Sequence, residues 1–165
     1  MSANPVTAST QFDSNPAAPK TQAQLLKLIT FEIGKLSLAV RIEQVHKVVN
    51  LPTVHGSGLN PVGLARVDQR EITVLDLHRR LFQAEAESAA NHYLVLIKTQ
   101  REEILGIPAI ETPLLLDIPT NLIRKLPESY RRSDTLEIAS HIAIVPVGED
   151  QTRTLFLLDT ERLTR

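Results

Sequence analysis

The sequence predicts a mainly β protein built as two small barrels of about five strands each. Three observations carry this. Apolar runs of six to ten residues recur along the chain between polar or Gly- and Pro-containing breaks, with little helical periodicity. The core has to be aliphatic, since aromatic residues make up 4% of the 165-residue chain and tryptophan is absent. Two stretches echo each other: VLDLHRRL at 74–81 and LLDTERL at 157–163 both read as a strand, an aspartate, then a basic turn ending in leucine. Many short strands with little helix favour closed or nearly closed barrels, which hide their edges. A single open α+β sheet is the alternative that the same elements allow.

Residues 1–24 are rich in Ser, Thr, Asn, Pro, Gln and Ala. Such a segment cannot bury enough apolar surface to offset the entropy of ordering it, so a disordered polar tail is expected. The domain is expected over 25–165. LLKLITFEIG and LSLAVRI flank the turn Gly34–Lys35 and predict a β-hairpin. EQVHKVV fits a helical turn leading into a strand. HGSGLNP reads as an irregular loop.

In PVGLARV, Val62, Leu64 and Arg66 share one face, and Gly63, Ala65 and Val67 the other. Asp68–Gln69–Arg70 forms a polar hairpin tip. EITVLDL returns, and Asp76 is placed to cap the first turn of LHRRLF. QAEAESAAN at 83–91 lacks large apolar residues and reads as the connector between two barrel halves. HYLVLIKTQ and EEILGIPAIE make a second hairpin with its tip near Gln100–Glu102. TPLLLDI, a mixed segment NLIRKLPESYRRSDTLE, and the strands IASHIAIVPVG and TLFLLD follow. Asp159 opens the closing turn.

Composition narrows the function. A formal net charge of −1 gives no electrostatic reason to expect nucleic acid. No cysteine means no disulfide, thiolate zinc site or cysteine nucleophile. No apolar run approaches the about 20 residues needed to span a bilayer, so direct membrane insertion is not expected. The first ten residues have neither the basic start nor the apolar segment of a secretory signal, which agrees with a cytoplasmic location.

His46, His55, His78, His92 and His141 do not stand at zinc-ligand spacing from one another. The Gly-rich HGSG lacks the lysine and helix of a phosphate loop. Arg124–Lys125 and Arg131–Arg132 lie among acidic residues and read as a solvated face. The expectation is no catalytic residue, no metal and no cofactor. Outward-facing aliphatic side chains remain as the functional asset, and apolar patches of that kind mark protein interfaces.

Four stretches, in order, resemble the CheW-like family, which comprises the chemotaxis coupling protein CheW, its pilus-type relatives and the matching domain of the histidine kinase CheA. They are FEIG with LAVRIEQVHKVV, PVGLARVDQREITVLDL, EEILGIPAIE and LLDTERL, together spanning Leu26 to Leu163. The resemblance implies two interlocked five-stranded SH3-like β-barrels with short helices and no catalytic activity. It implies an adaptor joining the cytoplasmic tip of a methyl-accepting chemoreceptor to a CheA-type histidine kinase, recruited to membrane receptor arrays. A divergent domain binding another regulator, or itself, is the rival.

The chain departs from the family at the hairpin tip. Aligned on Gly63 and Asp76, the usual Asn-Leu-Arg-Gly falls on Arg66, Val67, Asp68 and Gln69, so Asp68 stands where the family has arginine. Lys47 stands where it often has glutamate. The two changes suggest an ion pair, Lys47 with Asp68, of exchanged sign. Partner contacts are expected at Lys47, Val49 and Leu51, at Arg66, Asp68, Gln69 and Arg70, at Leu77 and Leu81, and at Ile142 and Ile144. Val67 is expected as a core position, with Asp76 and Asp159 as caps.

Overall fold

The computed structural model describes residues 24–56, 60–82, 91–131 and 137–164. The predicted polar tail, bar its last residue, and nearly all of the 83–91 connector lie outside them. Twelve strands are described: β1 (Leu25–Ile33), β2 (Leu36–Arg41), β3 (Val45–Asn50), β4 (Val54–Gly56), β5 (Val62–Val67), β6 (Arg70–Leu75), β7 (Tyr93–Lys98), β8 (Ile104–Ala109), β9 (Leu114–Pro119), β10 (Ile123–Lys125), β11 (Ala139–Pro146) and β12 (Thr152–Leu158). Two short α-helices accompany them, α1 (Leu77–Phe82) and α2 (Glu128–Arg131). The 42–50 segment is a 3-10 turn, Ile42–Gln44, running into β3, as its mixed periodicity predicts.

The architecture is mainly β, in two sheets. The first has the order β9-β1-β2-β12-β11-β10 and the second β3-β7-β8-β6-β5-β4. Each sheet therefore has six strands, where five were expected. The additions are β4 and β10, three residues each, in stretches that read as loop or mixed. Strands so short carry no periodicity; the neighbours β5 and β11 supply the hydrogen-bonding edges that make them strands.

The topology also corrects the division of the chain. Strands β1–β6 and β7–β12 are two copies of one order: a hairpin, two outer strands, a second hairpin, then an aspartate-led turn. The copies meet at 83–91, but neither forms a sheet by itself. The hairpin β1–β2 pairs with β9 and β12, and the hairpin β7–β8 pairs with β3 and β6. Both junctions to the closing strand are parallel: Leu155 beside Ser37, and Thr73 beside Leu105. Each sheet is thus one copy's hairpin inserted into the other copy's strands.

This exchange explains why central strands read as continuous apolar runs. In β7, Val95 and Ile97 face the core between the sheets, while Leu94 and Leu96 face an interior of the second sheet. In β2, Leu38 and Val40 face the shared core, and Ala39 faces the interior of the first sheet. Ile118 of β9 and Ile123 of β10, from opposite edges of the first sheet, reach one interior cluster. The sheet is therefore curled on itself like a barrel wall. Three clusters result, one inside each curled sheet and one shared, which binds the two together through burial of apolar surface.

The two aspartate-led turns are built alike. Asp76 Oδ1 accepts the amide of Arg79 at 3.1 Å, and Asp159 Oδ1 accepts the amide of Glu161 at 3.1 Å. The Asp76 amide donates to the Pro61 carbonyl and the Asp159 amide to the Ile138 carbonyl, each just before the strand that pairs with the aspartate's own. The Arg80 guanidinium fastens one turn to the other, donating to the carbonyls of Leu163 at 2.7 Å and Arg162 at 3.1 Å. Phe82 at the end of α1 lies over Gly34, whose φ is +60°. The left-handed backbone favours glycine at this turn, and a Cβ there would stand 2.9 Å from the Phe82 ring, which would have to shift to admit it.

Candidate functional site: the hairpin tip and the sheet edges

The β5–β6 hairpin turns at Asp68 and Gln69, with φ of 50° and 65°. Two successive left-handed residues match the right-handed twist of the flanking strands. Asp tolerates this backbone better than most residues, through its short polar side chain. The turn delivers the Asp68 carboxylate to the Lys47 ammonium, which donates to Oδ2. The pairing expected from the two exchanged charges is thus formed. Lys47 lies on β3, at an edge of the second sheet, and Asp68 lies beyond β5, near the other edge.

Beneath the pair, half-buried Val49 and Val67 pack on the same interior cluster of Ala65, Ile72, Val74, Leu94 and Leu96. Val67 therefore lines a core from its rim and is not enclosed by it. Arg66, Gln69 and Arg70 are exposed around the tip, and Leu51 is half-buried against the same cluster.

Lys47 holds the Asp68 carboxyl below its ordinary value of 3.8, first by hydrogen bonding and then by its charge; His46 adds a smaller pull in the same direction. Folding depresses this pKa, so the contact is fully present above the ordinary value. It is lost as pH falls through the lower folded-state value. An NMR titration of the Asp68 carboxyl carbon should therefore give a midpoint below 3.8, and Lys47→Met should return it toward that value. Equal midpoints in the two proteins would show that the contact is absent in solution.

Leu77 and Leu81 do not belong to this surface. They were expected at a partner contact, along the strand end and helix that run to Leu81. The structure buries both, at 0% and 8% exposure, in the core between the sheets. The reason is spacing: positions four apart on α1 share a face, and that face meets the strands.

Ile142 and Ile144 lie on β11 with outward parity, Ile142 half-buried and Ile144 53% exposed. They and Leu122 line a shallow apolar slot beside Arg124 of β10, the short edge strand of the first sheet.

The exposed aliphatics Val62 and Leu64 were not singled out as contacts from the sequence. In β5 Val62 and Leu64 face outward, while Gly63, Ala65 and Val67 face inward, with Ala65 in the core. A Cβ on Gly63 would meet Val54 Cγ1 at 2.8 Å and the His55 carbonyl at 3.0 Å. Position 63 is kept small by the close approach of β4, its neighbour in the sheet. The alternation in PVGLARV contained the two faces, but not which of them points in.

His141 shares a cavity of about 240 Å³ with Asp159. A register shift between Ala139 and His141 brings Ser140 Oγ to 2.8 Å from His141 Nδ1. Asp159 Oδ1 is committed to the turn amide, and Arg162 Nε stands 3.5 Å from Oδ2. The aspartate thus serves the closing turn. Among the described residues no helix is long and apolar enough to cross a membrane.

Comparison with known proteins agrees with this architecture. A search of curated proteins gives no match. Among solved structures, the scaffolding protein TtCheW from Thermoanaerobacter tengcongensis superposes with a TM-score of 0.69 at 16% identity, over 88% of this chain and 91% of that one. At that identity the likeness speaks for the fold. The family model of the CheW-like domain matches residues 27–165, which takes in both curled sheets, both aspartate-led turns and the Lys47–Asp68 tip. By that match the chain belongs to the CheW-like domain family.

Proposed function

We propose that the chain is a non-enzymatic adaptor in chemotaxis or pilus-linked taxis signalling. It couples the cytoplasmic tip of a methyl-accepting chemoreceptor to a CheA-type histidine kinase, and is recruited to receptor arrays through that contact. The observation that carries this reading is the family match over 27–165. The surface fits binding: a hairpin tip with Arg66, Asp68, Gln69 and Arg70 exposed, and aliphatic side chains standing out on β5 and β11. Charged groups at such a rim choose partners, since like charges brought together across an interface are penalised.

The test is calorimetric binding of the purified chain to the kinase's regulatory domain and to a receptor-tip fragment, each measured separately. Wild type should bind both. Asp68→Arg should still melt cooperatively while weakening one of the two by about ten-fold, the change that ~1.4 kcal/mol produces. No binding of either partner by wild type would overturn the adaptor reading. Unchanged binding of both by Asp68→Arg would remove the tip from the contact surface and move it to the β11 edge.

A further inference from the structure

We propose that the Lys47–Asp68 pair is a latch that closes the mouth of the second curled sheet and holds its edge strand β3 in place. The strand order sets the problem. Among the described residues, strand β3 is hydrogen-bonded on one side only, to β7, and three strands separate it from β5 in the sheet. A register shift between Val45 and Lys47 loosens the ladder where β3 begins. Backbone hydrogen bonds therefore secure β3 weakly at this end. The ion pair spans the gap that the ladder leaves open, from β3 to the tip of β5–β6.

The turn gains from the contact as well. Asp68 and Gln69 hold left-handed backbones without glycine, and Lys47 fixes the first of them from outside the hairpin. The floor below the latch is apolar, since Val49 and Val67 lie on one interior cluster. If β3 lifts, that cluster opens to water.

The other half of the chain shows that this latch is not a property of the repeat. Lys47 lies opposite Leu96, Leu96 opposite Gly106, and Gly106 beside Val74, two residues before Asp76. The matching path starts at Leu157, two residues before Asp159. It passes Ala39, then Thr30, and ends at Leu114. Leu114 thus occupies in the first sheet the position of Lys47 in the second, and it is 54% exposed. The first sheet carries no cation at this place, so the two mouths differ in kind: one is closed by charge, the other presents a leucine.

The proposal rests on the fold and not on the adaptor reading, and its test needs no partner. Amide hydrogen exchange is measured on the full chain for wild type, Lys47→Met, Asp68→Asn and the double variant. Asparagine tolerates the left-handed turn, so these changes remove charge while sparing the backbone. Each single variant should exchange about two- to five-fold faster at the β3 amides and at Val67–Arg70, the range an exposed ion pair supports. The β12 amides of Leu155–Leu157, in the other sheet, should not change.

The double variant should be no faster than either single, because the second change has nothing left to break. In 1 M salt, where the screening length is about 3 Å, wild type should move toward the variants and the variants should stay where they were. Unchanged exchange in the singles, additive effects in the double, or a uniform rise over both sheets would each overturn the latch.

Discussion

Leu77→Ala is expected to lower the free energy of unfolding by about 2–5 kcal/mol, against the about 5–15 kcal/mol that holds an ordinary domain together. Leu77 has no exposed surface and lies in the cluster shared by the two sheets. Its neighbours there include Leu38 and Val40 from the first sheet and Leu75 and Ile107 from the second. Truncation leaves a cavity between two curved walls, each of which also packs its own interior on its other face. Neither wall can move inward without disturbing that second packing, so the site collapses poorly and the cost falls in the upper part of the range. Urea denaturation would measure it as a fall in midpoint with an unchanged slope. A change below about 1 kcal/mol would return Leu77 to the surface role that its place after Asp76 suggested.

Dividing the chain between residues 86 and 87 has a larger expected effect: neither piece folds alone, and the two fold together. The division falls between the two six-strand copies. Each piece keeps a hairpin whose partners are on the other piece, β1–β2 lacking β9 and β12, and β7–β8 lacking β3 and β6. Each piece also loses half of the shared core, so a piece on its own exposes two faces of its hairpin to water. Mixed pieces recover every ladder at the entropic cost of bringing two chains together. Circular dichroism should show no cooperative melting for either piece, and a cooperative transition with co-elution for the mixture. A cooperative transition in one piece alone would mean that the exchange of hairpins is not what completes the sheets.

Much of the fold was legible because aliphatic strands and polar turns alternate at short range. The hairpin around Gly34, the tip at Asp68–Gln69 and the aspartate before each closing turn all follow from residues near one another in the chain. The paired charges at 47 and 68 were legible by another route, since a double departure from a family's pattern is a signal that one site alone lacks. The burial of Leu77 and Leu81 was missed, since a six-residue helix has too few positions for its apolar face to be told from its exposed one.

By itself, then, the sequence determined the class of the protein: mainly β, twice repeated, aliphatic in its core, and similar to one family from Leu26 to Leu163. Periodicity and turn chemistry act between neighbours, and they write themselves into short stretches. Only the tertiary structure decided that the repeats exchange hairpins, that β4 and β10 are strands, and which face of β5 points inward. The exchange depends on hydrogen-bonding edges supplied by residues 32 to 118 positions away, and β4 and β10 take theirs from strands 7 to 20 positions away; no pattern within a stretch records which outside edge it will meet.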